Sequence, residues 1–166
     1  RFGGEIEVES KVGEGTTFTI ILPVGKGKKE EAPSYPTSIE RRKARILVIE
    51  DEETVREVLL RTLAQVPHEV TTAENGEKGI QLFQKERFDM VLTDLGMPGL
   101  SGWEVCKRIK EMSPGTPVGM ITGWGAEVDQ EKVKETGLDF LISKPFDFQQ
   151  LLKAVNEAIH SKEIQL

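Results

Sequence analysis

The sequence predicts an α/β protein built around a parallel sheet. Between residues 45 and 160, five short apolar runs alternate with five amphipathic segments. This alternation is typical of parallel strands joined by helices that cover both faces of the sheet. Runs such as RILVI and DMVLT are continuously apolar, as expected for strands buried on both sides. The length of 166 residues suits one domain of ordinary size with an appendage.

Each element of the sheet region follows from its local pattern. RILVI predicts a strand at 45–49. A helix is expected over 53–65, where the helical spacing is carried by Val55, Val58, Leu59 and Thr62. The remaining elements are then expected in this order: strand 68–73, helix around 80–83, strand 89–93, helix 103–112, strand 116–122, helix near 127–136, strand 140–143 and helix 148–159.

Two shorter segments precede this region. Residues 5–10 and 16–22 have strand character and flank the turn VGEG, which predicts a β-hairpin. Residues 25–44 contain lysines, glutamates and prolines without apolar periodicity, which is the composition of a linker. We therefore expect a hairpin segment at 1–24, a linker at 25–44 and a folded domain at 45–162.

Composition excludes several classes of function. The net charge of −6 argues against a surface that coats nucleic acid, because such binding needs a basic face. Since no apolar run is long enough to span a bilayer and no secretory signal is present, we expect a cytoplasmic chain without membrane contact. The single cysteine, Cys106, excludes an intramolecular disulfide and fits the inner face of a helix.

Polar residues stand where four of the predicted strands end. They are Glu50, Asp51, Asp94, Thr122 and Lys144. The carboxyl ends of parallel strands share one edge, so these side chains are expected to converge on one crevice. Carboxylates brought close together repel each other unless a cation lies among them, and an all-oxygen site suits Mg²⁺. A lysine and a threonine beside the metal suit a phosphoryl group, with Asp94 as its nucleophile.

Each of these residues taken alone also has an ordinary structural explanation. The run EDEE at 50–53 favours the start of a helix through the helix dipole. A loop threonine, or a lysine before a proline, is common at any protein surface. The placement of all five at the same edge of successive strands favours the functional interpretation.

Four segments carry a resemblance to a known family. ILVIEDEE, VLTDLGMPGLSGWE, GMITGW and GLDFLISKPF resemble, in order and spacing, the receiver domain of response regulators in two-component signalling. The resemblance covers about 45–160. It implies a (βα)5, flavodoxin-like fold with strand order 2-1-3-4-5, in which the peptide between Lys144 and Pro145 is often cis.

The resemblance also implies roles for individual residues. Asp94 would accept a phosphoryl group from a phosphohistidine, carried by a kinase dimerisation domain or by a histidine phosphotransfer domain. Mg²⁺ would be held by Asp51, Asp94 and the backbone carbonyl of Gly96, while Glu50 acts through a metal-bound water. The two remaining residues, Thr122 and Lys144, would contact the phosphoryl oxygens. Such a domain catalyses its own phosphorylation and dephosphorylation, and the direction of phosphate flow stays open.

Four positions qualify the resemblance. Glu50 stands where many receivers have aspartate, which puts the metal affinity in question. Leu141 stands where an aromatic residue often moves on activation, and Phe140 lies one position earlier. Gly96 offers no side chain to orient a water and Trp124 is bulky, from which we predict slow hydrolysis of the aspartyl phosphate.

The opening hairpin resembles a different family. GGEIEVES followed by GEGTTFTIILP is similar to the end of the ATP-binding domain of sensor histidine kinases. Together the two resemblances imply the carboxyl-terminal module of a hybrid histidine kinase. The main alternative is that the functional identity is that of the parent ATP-dependent kinase, and a third possibility is a receiver-like module that is never phosphorylated. Neither His68 nor His160 lies in a pattern expected of a phosphodonor.

Overall fold

All strands of the described residues belong to two separate sheets. The structure, a computed structural model, describes residues 4–23, 43–123 and 130–161. The first sheet is an antiparallel hairpin and the second has five parallel strands in the order β4-β3-β5-β6-β7. The strands are β1 (Glu5–Lys11), β2 (Gly15–Ile21), β3 (Arg45–Ile49), β4 (Glu69–Ala73), β5 (Met90–Asp94), β6 (Val118–Thr122) and β7 (Phe140–Ser143).

The hairpin confirms the predicted strands to within one residue at each end. Its turn uses Gly13 and Gly15 at positive φ, a conformation that glycine adopts without steric cost. Directly opposed residues share a face, so the pairs Ile6–Ile20 and Val8–Phe18 form one apolar side. These side chains, like the rest of both strands, are exposed.

The parallel sheet confirms the predicted α/β class. Its order corresponds to 2-1-3-4-5 when its strands are counted from β3. The strand predicted to end at 93 includes Asp94 as its last residue. Residues 127–129 of the predicted fourth helix lie outside the described residues. The helices are α1 (Glu53–Leu63), α2 (Gly76–Lys85), α3 (Gly102–Met112), α4 (Gln130–Thr136) and α5 (Phe148–Ser161).

Each face of the parallel sheet carries its own hydrophobic layer. One layer packs the sheet against α2 and α3, with Val105 and Ile109 among its fully buried members. The other packs it against α1 and α5, through residues that include Leu59 and Leu151. Val58, which we expected on the apolar face of α1, is 44% exposed.

Adjacent residues of β7 enter opposite layers. Phe140 lies across from Gly119 of β6, and a Cβ on that glycine would collide with the phenyl ring. Phe140 packs with the α1 and α5 layer, whereas Leu141 packs with the α2 and α3 layer. The Phe140 ring therefore fills the space above Gly119. It lies on the opposite face of the sheet from residue 141, so it does not replace an aromatic side chain there.

One residue of the predicted linker is packed in the sheet domain. Ala44, placed in the linker by composition, is buried and its carbonyl accepts a hydrogen bond from the Glu69 amide at 2.8 Å. Residues 24–42 of the predicted linker lie outside the described residues. The hairpin and the sheet domain belong to two compact units, within Arg1–Glu40 and Arg41–Leu166. In the parts of the chain that the structure describes, no helix has the length and apolarity needed to cross a membrane.

Candidate functional site

The site lies at the carboxyl end of the parallel sheet. β4 pairs with one edge of β3, and β5 pairs with the opposite edge of β3, so the strand order reverses at β3. In sheets of this kind, ligands bind beside such a reversal. A cleft of about 410 Å³ opens there. Its lining includes all of the residues that the sequence singled out, namely Glu50, Asp51, Asp94, Gly96, Thr122 and Lys144.

Lys144 links the two buried carboxylates of the cleft. Its ammonium Nζ lies 2.7 Å from Asp94 Oδ1 and 3.0 Å from Glu50 Oε2. The Glu50 side chain is 2% exposed and that of Asp94 is 9% exposed, so both contacts are largely shielded from water. Lys144 directly follows β7, and its peptide bond to Pro145 is cis, as the resemblance implies.

The electrostatics of the cleft show an excess of negative charge. Burial raises the pKa of Glu50, and repulsion by Asp94 raises it as well. The hydrogen bond from Lys144 lowers it but does not outweigh these two effects. Burial acts to lower the pKa of Lys144, but hydrogen bonds to Asp94 and Glu50 outweigh it and raise that pKa. Both shifts mean that Glu50 and Lys144 bind their protons more tightly in the folded chain than in the unfolded chain. This is expected where three carboxylates face one ammonium.

The carboxylates fit a hard divalent cation. One oxygen from each of Glu50, Asp51 and Asp94 lies within 4.8 Å of the others. Among the described residues, the Asp51 carboxylate has no hydrogen-bond partner, and the residue is exposed. A set of oxygen donors with few protein ligands and access to water is what Mg²⁺ prefers.

The position of Asp94 is fixed by the turn that follows β5. The Gly96 amide donates a hydrogen bond to Asp94 Oδ2 at 2.7 Å, so the second carboxylate oxygen is also held. Gly102 begins α3 directly against the Asp94 backbone, where a Cβ would collide with the Asp94 carbonyl. A capping box between Ser101 and Glu104 fixes the start of α3.

Thr122 ends β6 at the rim of the cleft. It is buried, and its hydroxyl donates to the Gly123 carbonyl at 3.3 Å. Trp124, the bulky residue on which the prediction of slow hydrolysis partly depends, lies outside the described residues. That prediction stays a prediction.

One residue beside the cleft, Arg56, was not predicted from the sequence. Arg56, on α1, donates from Nη1 to the backbone carbonyls of Glu50 and Asp51 at 2.8 and 3.1 Å. It therefore holds the turn that presents two of the carboxylates. The only signal in the sequence is a basic side chain early in the helix that follows the acidic run.

The cysteine and both histidines lie away from the cleft. Cys106 is buried in the core, which confirms its predicted packing role, and burial raises the pKa of its thiol to about 11. His68 precedes β4 at the opposite end of the sheet, where its Nδ1 accepts from the Ala44 amide at 3.3 Å. His160 contacts the Asn156 carbonyl through Nδ1 at 2.7 Å in the last turn of α5.

Comparisons with known proteins agree with this geometry. The family model of the response regulator receiver domain matches residues 46–156. The probable transcriptional regulator ycf27 of Porphyra purpurea is 36% identical over 113 residues, which cover 68% of this chain and 46% of that protein. The autoinducer 1 sensor kinase/phosphatase LuxN of Vibrio harveyi is 27% identical over 164 residues, covering 87% of this chain and 19% of that protein.

A solved structure extends the comparison to the fold. The response regulator protein TrrA of Thermotoga maritima, solved in complex with Mg(2+)-BeF, is 31% identical and superimposes with a TM-score of 0.65. The match covers 69% of this chain and 98% of that one. This chain thus spans nearly all of a solved regulator but less than half of the two curated relatives.

Proposed function

Because the chain belongs to the response regulator receiver domain family, we propose that its sheet domain is the phosphoacceptor of a two-component phosphorelay. The proposed donor is a phosphohistidine, on a kinase dimerisation domain or a histidine phosphotransfer domain. The observation that carries the proposal is the convergence of Glu50, Asp51 and Asp94 with the Lys144 ammonium in one cleft. A cytoplasmic location is part of the proposal, because ATP-driven phosphate transfer takes place there.

The proposed reaction is one in-line transfer. A carboxylate oxygen of Asp94 attacks the phosphorus, the P–N bond of the phosphohistidine breaks, and the imidazole leaves with the bonding electron pair and takes up a proton. The Lys144 ammonium, 2.7 Å from Asp94 in this structure, offsets negative charge on the phosphoryl oxygens. Asp51, Asp94 and the Gly96 carbonyl would hold Mg²⁺, with Glu50 acting through a water, and the metal would supply further positive charge.

Thr122 is proposed to report the phosphorylated state. Its hydroxyl donates to the neighbouring Gly123 carbonyl at 3.3 Å, and we propose that it turns to the phosphoryl oxygen once Asp94 is phosphorylated. A hydrogen bond made in only one state biases a two-state equilibrium toward that state. The phosphorylated domain would then make different contacts with partner proteins.

The direct test is phosphorylation of the isolated chain. We expect incubation with Mg²⁺ and a small acyl phosphate to add the mass of one phosphoryl group. The increment should vanish in Asp94→Asn and in the presence of a chelator, because both remove a required part of the site. Asp139→Asn is a matched control, since Asp139 is a partly exposed carboxylate paired with Lys110 outside the cleft. An unchanged mass in the native chain would contradict the proposal.

The lifetime of the phosphorylated form is a separate proposal. Gly96 has no side chain with which to orient an attacking water, so we propose that the aspartyl phosphate hydrolyses slowly. Loss of the mass increment after removal of the donor measures this rate. A lifetime of only seconds would contradict it without affecting the assignment of Asp94.

A second candidate function concerns the parent protein, which we propose to be a hybrid histidine kinase. The alignment to LuxN covers 87% of this chain, more than residues 45–166 contain, so the similarity extends into the segment before the sheet domain. The hairpin also exposes an apolar face that includes Val8 and Phe18, at 59% and 68%, as expected for a part of a larger sheet.

The interpretation of the hairpin as the end of an ATP-binding domain has its own test. A hairpin without the rest of an ATP-binding domain lacks the walls of a nucleotide pocket, so we expect no heat of binding when ATP is titrated into the chain. Measurable ATP binding that is unaffected by Asp94→Asn would contradict this interpretation. The proposal for the sheet domain would stand in either case.

A further inference from the structure

The turn between β3 and α1 carries two of the three carboxylates of the site. It comprises Glu50, Asp51 and Glu52, the last of which is the N-cap of α1. Glu52 makes no side-chain capping hydrogen bond, whereas the N-caps of α2 and α3, Asn75 and Ser101, both accept from the helix backbone. The start of α1 therefore lacks the usual side-chain restraint.

Arg56, at the end of the first turn of α1, supplies a different restraint. Its Nη1 donates to the Glu50 carbonyl at 2.8 Å and to the Asp51 carbonyl at 3.1 Å. A guanidinium is always charged and is rigid, and hydrogen bonds from a charged donor are stronger than neutral ones. One side chain thus fixes two successive peptide groups at the point where the strand ends.

This restraint matters most for Asp51. Its exposed carboxylate has no hydrogen-bond partner among the described residues. Apart from the rotation of its own side chain, its oxygens are therefore placed by the backbone to which that side chain is attached. The Glu50 carboxylate is different, because Lys144 Nζ and the Glu52 amide hold it at 3.0 and 3.3 Å. Since the bonds from Arg56 go to carbonyl oxygens, they occupy no carboxylate oxygen of either residue.

We propose that Arg56 is a positioning residue that sets the Mg²⁺ affinity of the site by holding the backbone of Glu50 and Asp51. The inference rests on the proposed function, because it needs Mg²⁺ to bind there. Groups that orient metal ligands without touching the metal typically contribute a factor of about 10 to 100 in affinity.

Simple electrostatics predicts the opposite effect, which makes the inference testable. A guanidinium beside an acidic cleft repels a divalent cation, so its removal would strengthen Mg²⁺ binding if charge were its only contribution. Positioning predicts weaker binding when the same group is removed. The sign of the change in Kd therefore separates the two explanations.

The experiment titrates Mg²⁺ into the full chain by calorimetry. We expect Arg56→Gln to raise the Kd by about tenfold, the lower end of the range for such groups. Arg56→Lys keeps a charged donor but loses the fixed planar arrangement of N–H groups that a guanidinium has. It should therefore raise the Kd by a smaller factor. Arg61→Gln is the matched control, because Arg61 lies on the same helix but is exposed and pairs with Glu57 at 3.2 Å. Its Kd should equal that of the native chain.

Unfolding midpoints without metal separate positioning from stability. A lower midpoint in Arg56→Gln with an unchanged Kd would mean a structural role only and would overturn the inference, as would tighter binding. If Arg56→Gln does not fold, Arg56→Lys decides, and a Kd equal to or below the native value overturns the inference. A native chain that binds no Mg²⁺ would overturn the metal site of the proposed function as well.

Discussion

The two ends of the parallel sheet both carry clusters of charged side chains. The clusters differ in the ratio of positive to negative charges and in how deeply the side chains are buried. At the amino end, Arg45 pairs with Glu69 and Glu86 at 3.7 and 2.6 Å, and these three side chains are between 40% and 57% exposed. At the carboxyl end, Lys144 contacts Glu50 and Asp94, whose side chains are at most 9% exposed. The Asp51 carboxylate adds further negative charge there.

The difference separates structural charges from functional ones. Exposed ion pairs in water contribute little to stability, and a domain tolerates them at any edge. A buried group of like charges is unfavourable unless a ligand compensates it, so such groups concentrate at functional sites. The carboxyl end is therefore the end that we expect to respond to a cation and to phosphate.

Removal of a lysine at each end should give the largest contrast. We expect Lys144→Ala to lower the rate of phosphorylation by about 100-fold or more, the effect typical of losing one charge-stabilising group in an active site. Lys110→Ala, which breaks a 2.7 Å pair with Asp139 away from the cleft, should leave the rate unchanged. The rate of mass increase with an acyl phosphate measures both. Equal effects would contradict the comparison.

Mg²⁺ should stabilise the domain through the carboxyl end only. A ligand at a hundredfold excess over its Kd raises the free energy of unfolding by about 2.7 kcal/mol. We expect Asp51→Asn to lose much of this increment, because it removes a ligand, and Glu86→Gln at the amino end to retain it. Urea unfolding with and without Mg²⁺ gives the increment for each variant. Retention of the full increment in Asp51→Asn would place the metal elsewhere.

The pH dependence of stability without metal gives a smaller contrast. The pKa of Glu50 is raised above 4.5, so the folded chain binds this proton more tightly than the unfolded chain does. The stabilising contribution is complete below pH 4.5 and is lost as the pH rises through the raised pKa. Glu50→Gln should remove that loss, whereas Glu86→Gln should keep it. Parallel stability curves for native chain and Glu50→Gln would contradict this account.

His68 at the amino end should behave with the opposite sign. Burial lowers its pKa from 6.5, so the folded chain binds this proton less tightly than the unfolded chain. The contribution is present above pH 6.5 and is lost as the pH falls through the lowered pKa. His68→Gln should flatten that part of the curve in urea unfolding. An unchanged slope just below pH 6.5 would mean that His68 does not titrate as proposed.

Most of the fold could be predicted because strand and helix signals are local. RILVI and DMVLT are apolar along their whole length, and their ends place Glu50 and Asp94 at one edge of a parallel sheet. Helical spacing was a weaker guide to burial. It placed Val58 on the apolar face of α1, but Leu59 and Leu63 fill the space against the sheet.

Contacts between distant residues could not be predicted in the same way. The contact of Lys144 with Glu50 joins residues 94 positions apart and depends on how β7 and β3 are placed by the strands between them. The bonds from Arg56 depend on a side chain that folds back along its own helix. Spacing alone does not distinguish that conformation from one that points into solvent.

The most direct test of the central claim is to locate the phosphoryl group within the chain. After treatment with an acyl phosphate and Mg²⁺, mass spectrometry of peptides should find the modification at Asp94, at the carboxyl end of the sheet. It should be absent from the carboxylates of the amino end, such as Asp139. A phosphoryl group at Asp139 or Asp51, with none at Asp94, would contradict the account.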